Sequence, residues 1–236
     1  MKLTSMLSVC GLLLISSSSA FAAPFKLEKT YSSIFGGGGN ESLRIVNTGT
    51  PNLDARVRAG GFRVTDTTNN INLIAWCVDI AHSLTLKGLY EITSTPFSNT
   101  FSFSQAQKDN IASLFETAFR DLDLTNNSQS AGFQLALWEI AYESSGTLDV
   151  ENGTFSTVAS MGAVDAANDF LDNLGGPVTQ SYKVNYYESL GYENGTRYSQ
   201  NLVSVTPVPL PAAGLLLGCG LAGLYLTGRR KKILSG

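Results

Sequence analysis

The hydrophobic period changes twice along this 236-residue chain, and those two changes restrict what it can fold into more than any other feature. Between residues 25 and 94, apolar and polar residues alternate in short runs, at 25–34, 42–48, 55–65, 71–80 and 89–93. A two-residue period is that of strands burying one face. Turn compositions separate the runs: the glycines 36–39, Gly49-Thr50-Pro51-Asn52 and Thr67-Thr68-Asn69-Asn70. At Ser104 the period lengthens. Ser104 and Gln107 have the spacing of a capping box, and Ile111, Leu114, Phe115, Ala118 and Phe119 follow at helical spacing. A second helix is expected over 130–144, with Ala131, Leu135, Trp138 and Tyr142 on one face and Phe133, Leu137 and Ile140 beside it. A third is expected over 161–173, ended by Gly175-Gly176-Pro177. Strand patterns return at 180–188 and 198–206. The last strands must rejoin the first to cover their faces and edges. The expected fold is therefore α+β, a β-sandwich or barrel-like sheet carrying a helical insertion over about 104–175.

Charge divides the chain into three. Residues 3–24 and 208–228 contain no Asp, Glu, Lys, Arg or His, and all 19 acids lie between Glu28 and Glu193. Against them residues 24–206 hold 11 Lys and Arg, so this middle segment is −8 while the whole chain is −3. A nucleic-acid partner is excluded by that sign, and 23 aromatics exclude a disordered chain. One domain of this length buries roughly 70% of its unfolded surface and needs no disulfide.

The two uncharged ends read as addresses. Lys2, the apolar run 6–15, four serines and Ala20-Phe21-Ala22 form a secretory signal peptide over 1–22, cut after Ala22 or Ala23. At the other end, 21 uncharged residues at 1.5 Å each make about 31 Å of helix over 208–228, one bilayer pass. The four bases 229–232 should remain cytoplasmic and leave the domain 23–206 outside. Gly214 and Gly218 match the small-residue spacing of packed membrane helices.

The order of the tail 207–236, with Val208, Pro209 and Pro211 before a glycine- and leucine-rich span and then Arg229 and Arg230, resembles the PEP-CTERM sorting signal of Gram-negative bacteria. Leu210 stands where the tetrapeptide usually carries an acid. The resemblance implies recognition by a membrane exosortase, cleavage near the prolines, and release to the cell surface or an extracellular matrix.

Cys10 falls in the signal peptide and Cys219 in the span, so the domain keeps one cysteine, Cys77, in a compartment where thiols usually pair. It is inert through burial, paired with another chain, or committed to some other covalent chemistry. In Trp76-Cys77-Val78-Asp79, period two puts Leu73, Ala75, Cys77 and Asp79 on one face of the run and Ile74, Trp76, Val78 and Ile80 on the other. On the second helix Gln134 is a polar amide in an apolar stretch, where burial without partners would cost about 1–3 kcal/mol.

Together, Trp76-Cys77-Val78-Asp79 and Gln134-Leu135-Ala136-Leu137-Trp138 resemble the cysteine and glutamine motifs of the thioester domains of bacterial surface proteins. The resemblance spans about residues 25–205, and outside the two motifs it rests on the order β, α, β. It implies an internal thioester between Cys77 and Gln134, with Trp76, Asp79, Ala136 and Trp138 as supporting positions. Such a bond is opened once by an amine or hydroxyl on a surface partner, protein or polysaccharide. On that reading the protein is an adhesin of the surface or biofilm, not an enzyme, and takes no cofactor or metal. The alternative is a passive structural or matrix surface protein with the same sorting signal and no thioester.

Other residues carry weaker signals. His82 lies five residues after Cys77, a spacing that puts it on the opposite strand face. Asp121, Asp123, Thr125 and Asn127 alternate like a calcium loop, but Asn126 stands where Gly is needed and Gly132 where Glu is needed, so a helix-to-helix connection is expected. Glu139 and Glu143, one turn apart, are expected in solvent. The Asn-x-Ser/Thr triplets at 40, 126, 152 and 194 read as turns.

Overall fold

The computed structural model describes residues 23–49, 52–86, 88–98, 101–144, 146–176, 180–191 and 199–208. The expected signal peptide, the membrane span with Pro209, Pro211, Arg229 and Arg230, and the triplet at 194 lie outside these. Among the described residues no helix is long and apolar enough to cross a membrane.

The fold is α+β, built on a closed antiparallel barrel. Its strands are β1 (Phe25–Lys29), β4 (Phe62–Asp66), β5 (Ile71–Cys77), β6 (Leu89–Thr93), β10 (Tyr182–Gly191) and β11 (Leu202–Pro207), in the spatial order β1-β4-β5-β11-β10-β6. The late strands rejoin the early ones as the period change required: β11 pairs with β5 and β10 with β6. The barrel alternative is the one realised, because closure leaves none of these six strands with an open edge. A second sheet, in the order β3-β2-β9, consists of β2 (Glu41–Thr48), β3 (Ala55–Ala59) and β9 (Phe155–Val158). A two-residue hairpin, β7 (Phe97–Ser98) and β8 (Phe101–Ser102), precedes the helices.

Two expected strands are corrected. The run 55–65 is two strands broken at Gly60-Gly61, where Gly60 has φ +151° and a Cβ on Gly61 would lie 3.0 Å from the Trp76 ring. The run 25–34 stops at Lys29, and the chain turns toward Gly36 and Gly37, both at positive φ. The helical insertion is likewise not wholly helical, since β9 lies within it and hydrogen-bonds to β2.

The capping box forms as read. Ser104 caps α1 (Gln105–Ala118), with the Ser104 hydroxyl accepting from Gln107 N–H and the Gln107 side chain accepting from Ser104 N–H. Gln107 Nε2 also donates to Ala141 O at 2.9 Å, tying the start of α1 to the end of α2 (Asn127–Tyr142). Every residue of α2 from Ser130 to Tyr142 is buried, so burial extends beyond the two neighbouring apolar stripes expected and the helix is fully enclosed. It is clasped by α3 (Met161–Asp172), α1, the barrel strand β5 and the second sheet. Phe133 anchors it, with Trp76, Phe115 and Phe170 rings at 4.6, 5.2 and 6.0 Å between centroids.

Glu139 and Glu143 are corrected as well. Glu139 is 0% exposed, its Oε1 accepting from Asp149 N–H at 2.8 Å. Glu143 accepts from the N–H groups of Ser144, Thr154 and Phe155, so both carboxylates organise the loop after α2.

Candidate functional site: a carboxamide clamped to the end of a barrel strand

Strand β5 ends at Cys77, and the way it ends creates the site. Val78 N–H donates to Asn201 O at 3.0 Å beside β11. Backbone groups alternate sides along an antiparallel strand, so the N–H and C=O of Cys77 face the β4 side. Pairing with β4 runs from Asp66↔Ile71 to Phe62↔Ala75 and stops there, two residues short of Cys77, because the chain diverges at Gly60-Gly61. Gln134 fills the place left. Its Oε1 accepts from Cys77 N–H at 2.9 Å and its Nε2 donates to Cys77 O at 2.7 Å. The carboxamide thus acts as one more peptide unit on the sheet edge, and the buried amide has the partners its burial demands.

Helix periodicity extends the grip. Gln134, Trp138 and Tyr142 stand at i, i+4 and i+8 on one face of α2. Tyr142 Oη accepts from Ile80 N–H at 2.9 Å, so the helix holds the chain at both Cys77 and Ile80. The sequence pattern places Tyr142 on the packing face and no more; its eight-residue spacing from Gln134 is the signal that marks it.

Cys77 is 0% exposed and Gln134 is 1% exposed. The Cys77 Sγ–H donates to Asp79 O at 3.2 Å. Burial, and next the negative charge of Asp79, push the thiol up to about 12, while the Asp79 backbone and then the Trp138 indole, turned toward the sulfur, work in the opposite direction. Apart from that sulfur the indole N–H has no acceptor among the described residues. Asp79 is itself buried, and its Oδ2 accepts from His82 Nδ1–H at 2.7 Å. The face expected for His82 does not apply, since the strand ends at Cys77 before reaching it. Trp76 is buried against Phe133, and Ala136 is fully buried on α2. Of the sorting-signal residues only Val208 is described, exposed, with its N–H donating to Ser181 O at 2.8 Å.

The motif residues therefore meet at one place: the tetrapeptide at the end of β5 and the glutamine face of α2. Chemically, the arrangement holds a carboxamide directly over the backbone of the residue that carries the thiol. The Cys77 N–H polarises the carbonyl oxygen as an oxyanion donor would, and both groups ride on rigid elements. The residues read against a calcium loop do something else: Asp123 Oδ1 accepts from Thr125 N–H and Oγ1, and Asn126 caps α2. Among the described residues no three His, Cys, Asp or Glu gather as a metal site.

Two solved structures are similar to this chain. One is the N-terminal domain of the Streptococcus pyogenes pilus tip adhesin Cpa, at 14% identity and a TM-score of 0.43, covering 82% of this chain and 97% of that one. The other is the N-terminal thioester domain of the protein F2 like fibronectin-binding protein from Streptococcus pneumoniae, at 15% identity and a TM-score of 0.39, covering 79% of this chain and all of that one. No protein-family model and no curated protein matches the sequence.

Proposed function

We propose that this chain is an exported surface or matrix protein that forms an internal thioester between Cys77 and Gln134 and uses it once, for covalent attachment. The observation that carries the reading is the pair of hydrogen bonds clamping the Gln134 carboxamide to the Cys77 backbone. In the forming step Sγ attacks Gln134 Cδ, a C–S bond replaces the C–N bond, and the thiol proton leaves with the nitrogen as ammonia. No oxidant is consumed. The carbonyl oxygen keeps its bond to Cys77 N–H throughout, so charge on it is stabilised as it develops. An amine or hydroxyl of a partner then takes the acyl group and returns Cys77 to a thiol. One bond per molecule makes this adhesion chemistry without turnover, so the protein is not an enzyme.

Export by the signal peptide, sorting by an exosortase through the PEP-CTERM-like tail, temporary anchoring by the C-terminal span and a role in biofilm belong to the same proposal, and rest on the sequence. A passive structural protein is the second reading. It is favoured by the elevated thiol and by the full satisfaction of the amide, which would also serve as a plain clamp between α2 and β5. Intact mass separates the two. A folded protein lighter than its sequence by one ammonia, with the deficit abolished in Cys77→Ala, supports the thioester; full sequence mass with a titratable thiol after denaturation supports the clamp.

A further inference from the structure

Cys77 and Trp138 also line a pocket of about 550 Å³, within the range of about 300–1,000 Å³ in which small ligands are held. Two features of this pocket select its occupant. The first is charge. Lys29, Arg56 and Arg58 line it, all exposed, and among the described residues no acid does. Arg58 is held in place by Asn40 Oδ1 and by the Phe35 ring at 4.8 Å. In a domain that is −8 overall, three bases with no acid among the described lining residues form a local positive mouth. The second is hydrogen bonding. Thr85 Oγ1 and Gln200 Oε1 are buried atoms without partners among the described residues, and both belong to residues that line this pocket. A hydroxyl and a carbonyl oxygen buried without partners are unusual in a folded protein, and they complement a ligand bearing several hydroxyl groups.

Resting on the thioester reading above, we infer that this pocket admits the nucleophile and that the nucleophile is a hydroxyl of an anionic carbohydrate, one carrying carboxylates such as a uronic-acid oligosaccharide. The positive mouth attracts carboxylates and repels the ammonium form of a lysine side chain. The open polar atoms meet ring hydroxyls beside the reacting one. In the reaction the sugar oxygen bonds to Gln134 Cδ, the C–S bond breaks, and the hydroxyl proton ends on Cys77 Sγ; the product is an ester.

The full chain is incubated with methylamine, trigalacturonate, maltotriose or an acidic lysine-containing peptide, and adducts are followed by intact mass. Trigalacturonate is expected to react about tenfold or more faster than maltotriose at low salt, with the advantage lost in 1 M NaCl. Its adduct should be released by hydroxylamine, as an ester is and an amide is not. In an Arg56→Gln/Arg58→Gln double variant the ratio of the two sugar rates should fall toward one. If methylamine adds but the two sugars react equally, or the peptide reacts faster than trigalacturonate, the carbohydrate assignment is overturned and the thioester stands. If methylamine adds nothing and no ammonia is missing from the mass, the thioester reading itself fails.

Discussion

Two short hydrogen bonds at Gln134 decide the energetics of the site. Cys77→Ala keeps the clamp and cannot form the thioester, so it isolates these bonds. In that background Gln134→Ala leaves the N–H and C=O of position 77 buried without partners on the β4 side. Each such group costs about 1–3 kcal/mol, so a further loss of about 2–4 kcal/mol in urea-unfolding free energy is expected. No further loss would mean that the backbone clamp is not what holds α2 to β5. Chemical reactivity follows from the same setting. With the sulfur held in the thioester, or its thiol pushed up to about 12 where no thioester has formed, the native protein should resist iodoacetamide at pH 8. Modification of native Cys77 within minutes would contradict both states. The two motifs around these residues were legible in the sequence because cysteine and a buried glutamine are rare enough to stand out. Their contact was implied by the resemblance alone, and its form, an amide on the Cys77 backbone, was not legible, since it depends on β4 leaving the sheet at Gly60-Gly61.

At the scale of elements, α2 is the piece on which the rest is assembled, and two of its residues report on that. Gly132 approaches α3 so closely that an added Cβ would lie 2.8 Å from Ala166 Cβ and 3.0 Å from Ala163 O. Despite the better helix propensity of alanine, Gly132→Ala is expected to destabilise by about 1–3 kcal/mol, read from the thermal midpoint. Glu139 is pushed up to about 8, first by burial and then by the charges of Glu143 and Asp149, against the opposing hydrogen bond from Asp149 N–H. Its folded form therefore holds a proton that the unfolded chain releases above its ordinary carboxylate range. This contribution to stability is complete at acid pH and is lost as pH rises through about 8. Glu139→Gln should flatten the fall in unfolding free energy between pH 5 and 8; an unchanged slope would locate that dependence elsewhere. The helix itself, its neighbours and the Ser104 cap were readable from spacing, because local sequence sets them. The burial of Glu139 was not, because its partner is a backbone N–H ten residues downstream. Strand β9, four residues within a helical region, carries too short a pattern to be separated from its surroundings.

At the scale of the molecule, barrel, second sheet and helices share one continuous apolar core, so they should unfold together. Calorimetry is expected to give a single transition whose van't Hoff and calorimetric enthalpies agree; two resolved transitions would show that the helices are an independent unit. That shared core is also what makes the central claim physical. A carboxamide can be held against a thiol-bearing residue through the life of the protein only if strand and helix cannot separate. The claim is tested most directly by the intact mass of the freshly purified, folded chain, measured before and after methylamine. The expected result is a mass one ammonia below that of the sequence, gaining one methylamine per molecule and a single titratable thiol, with neither change in Cys77→Ala. A mass equal to that of the sequence, unchanged by methylamine, would contradict it.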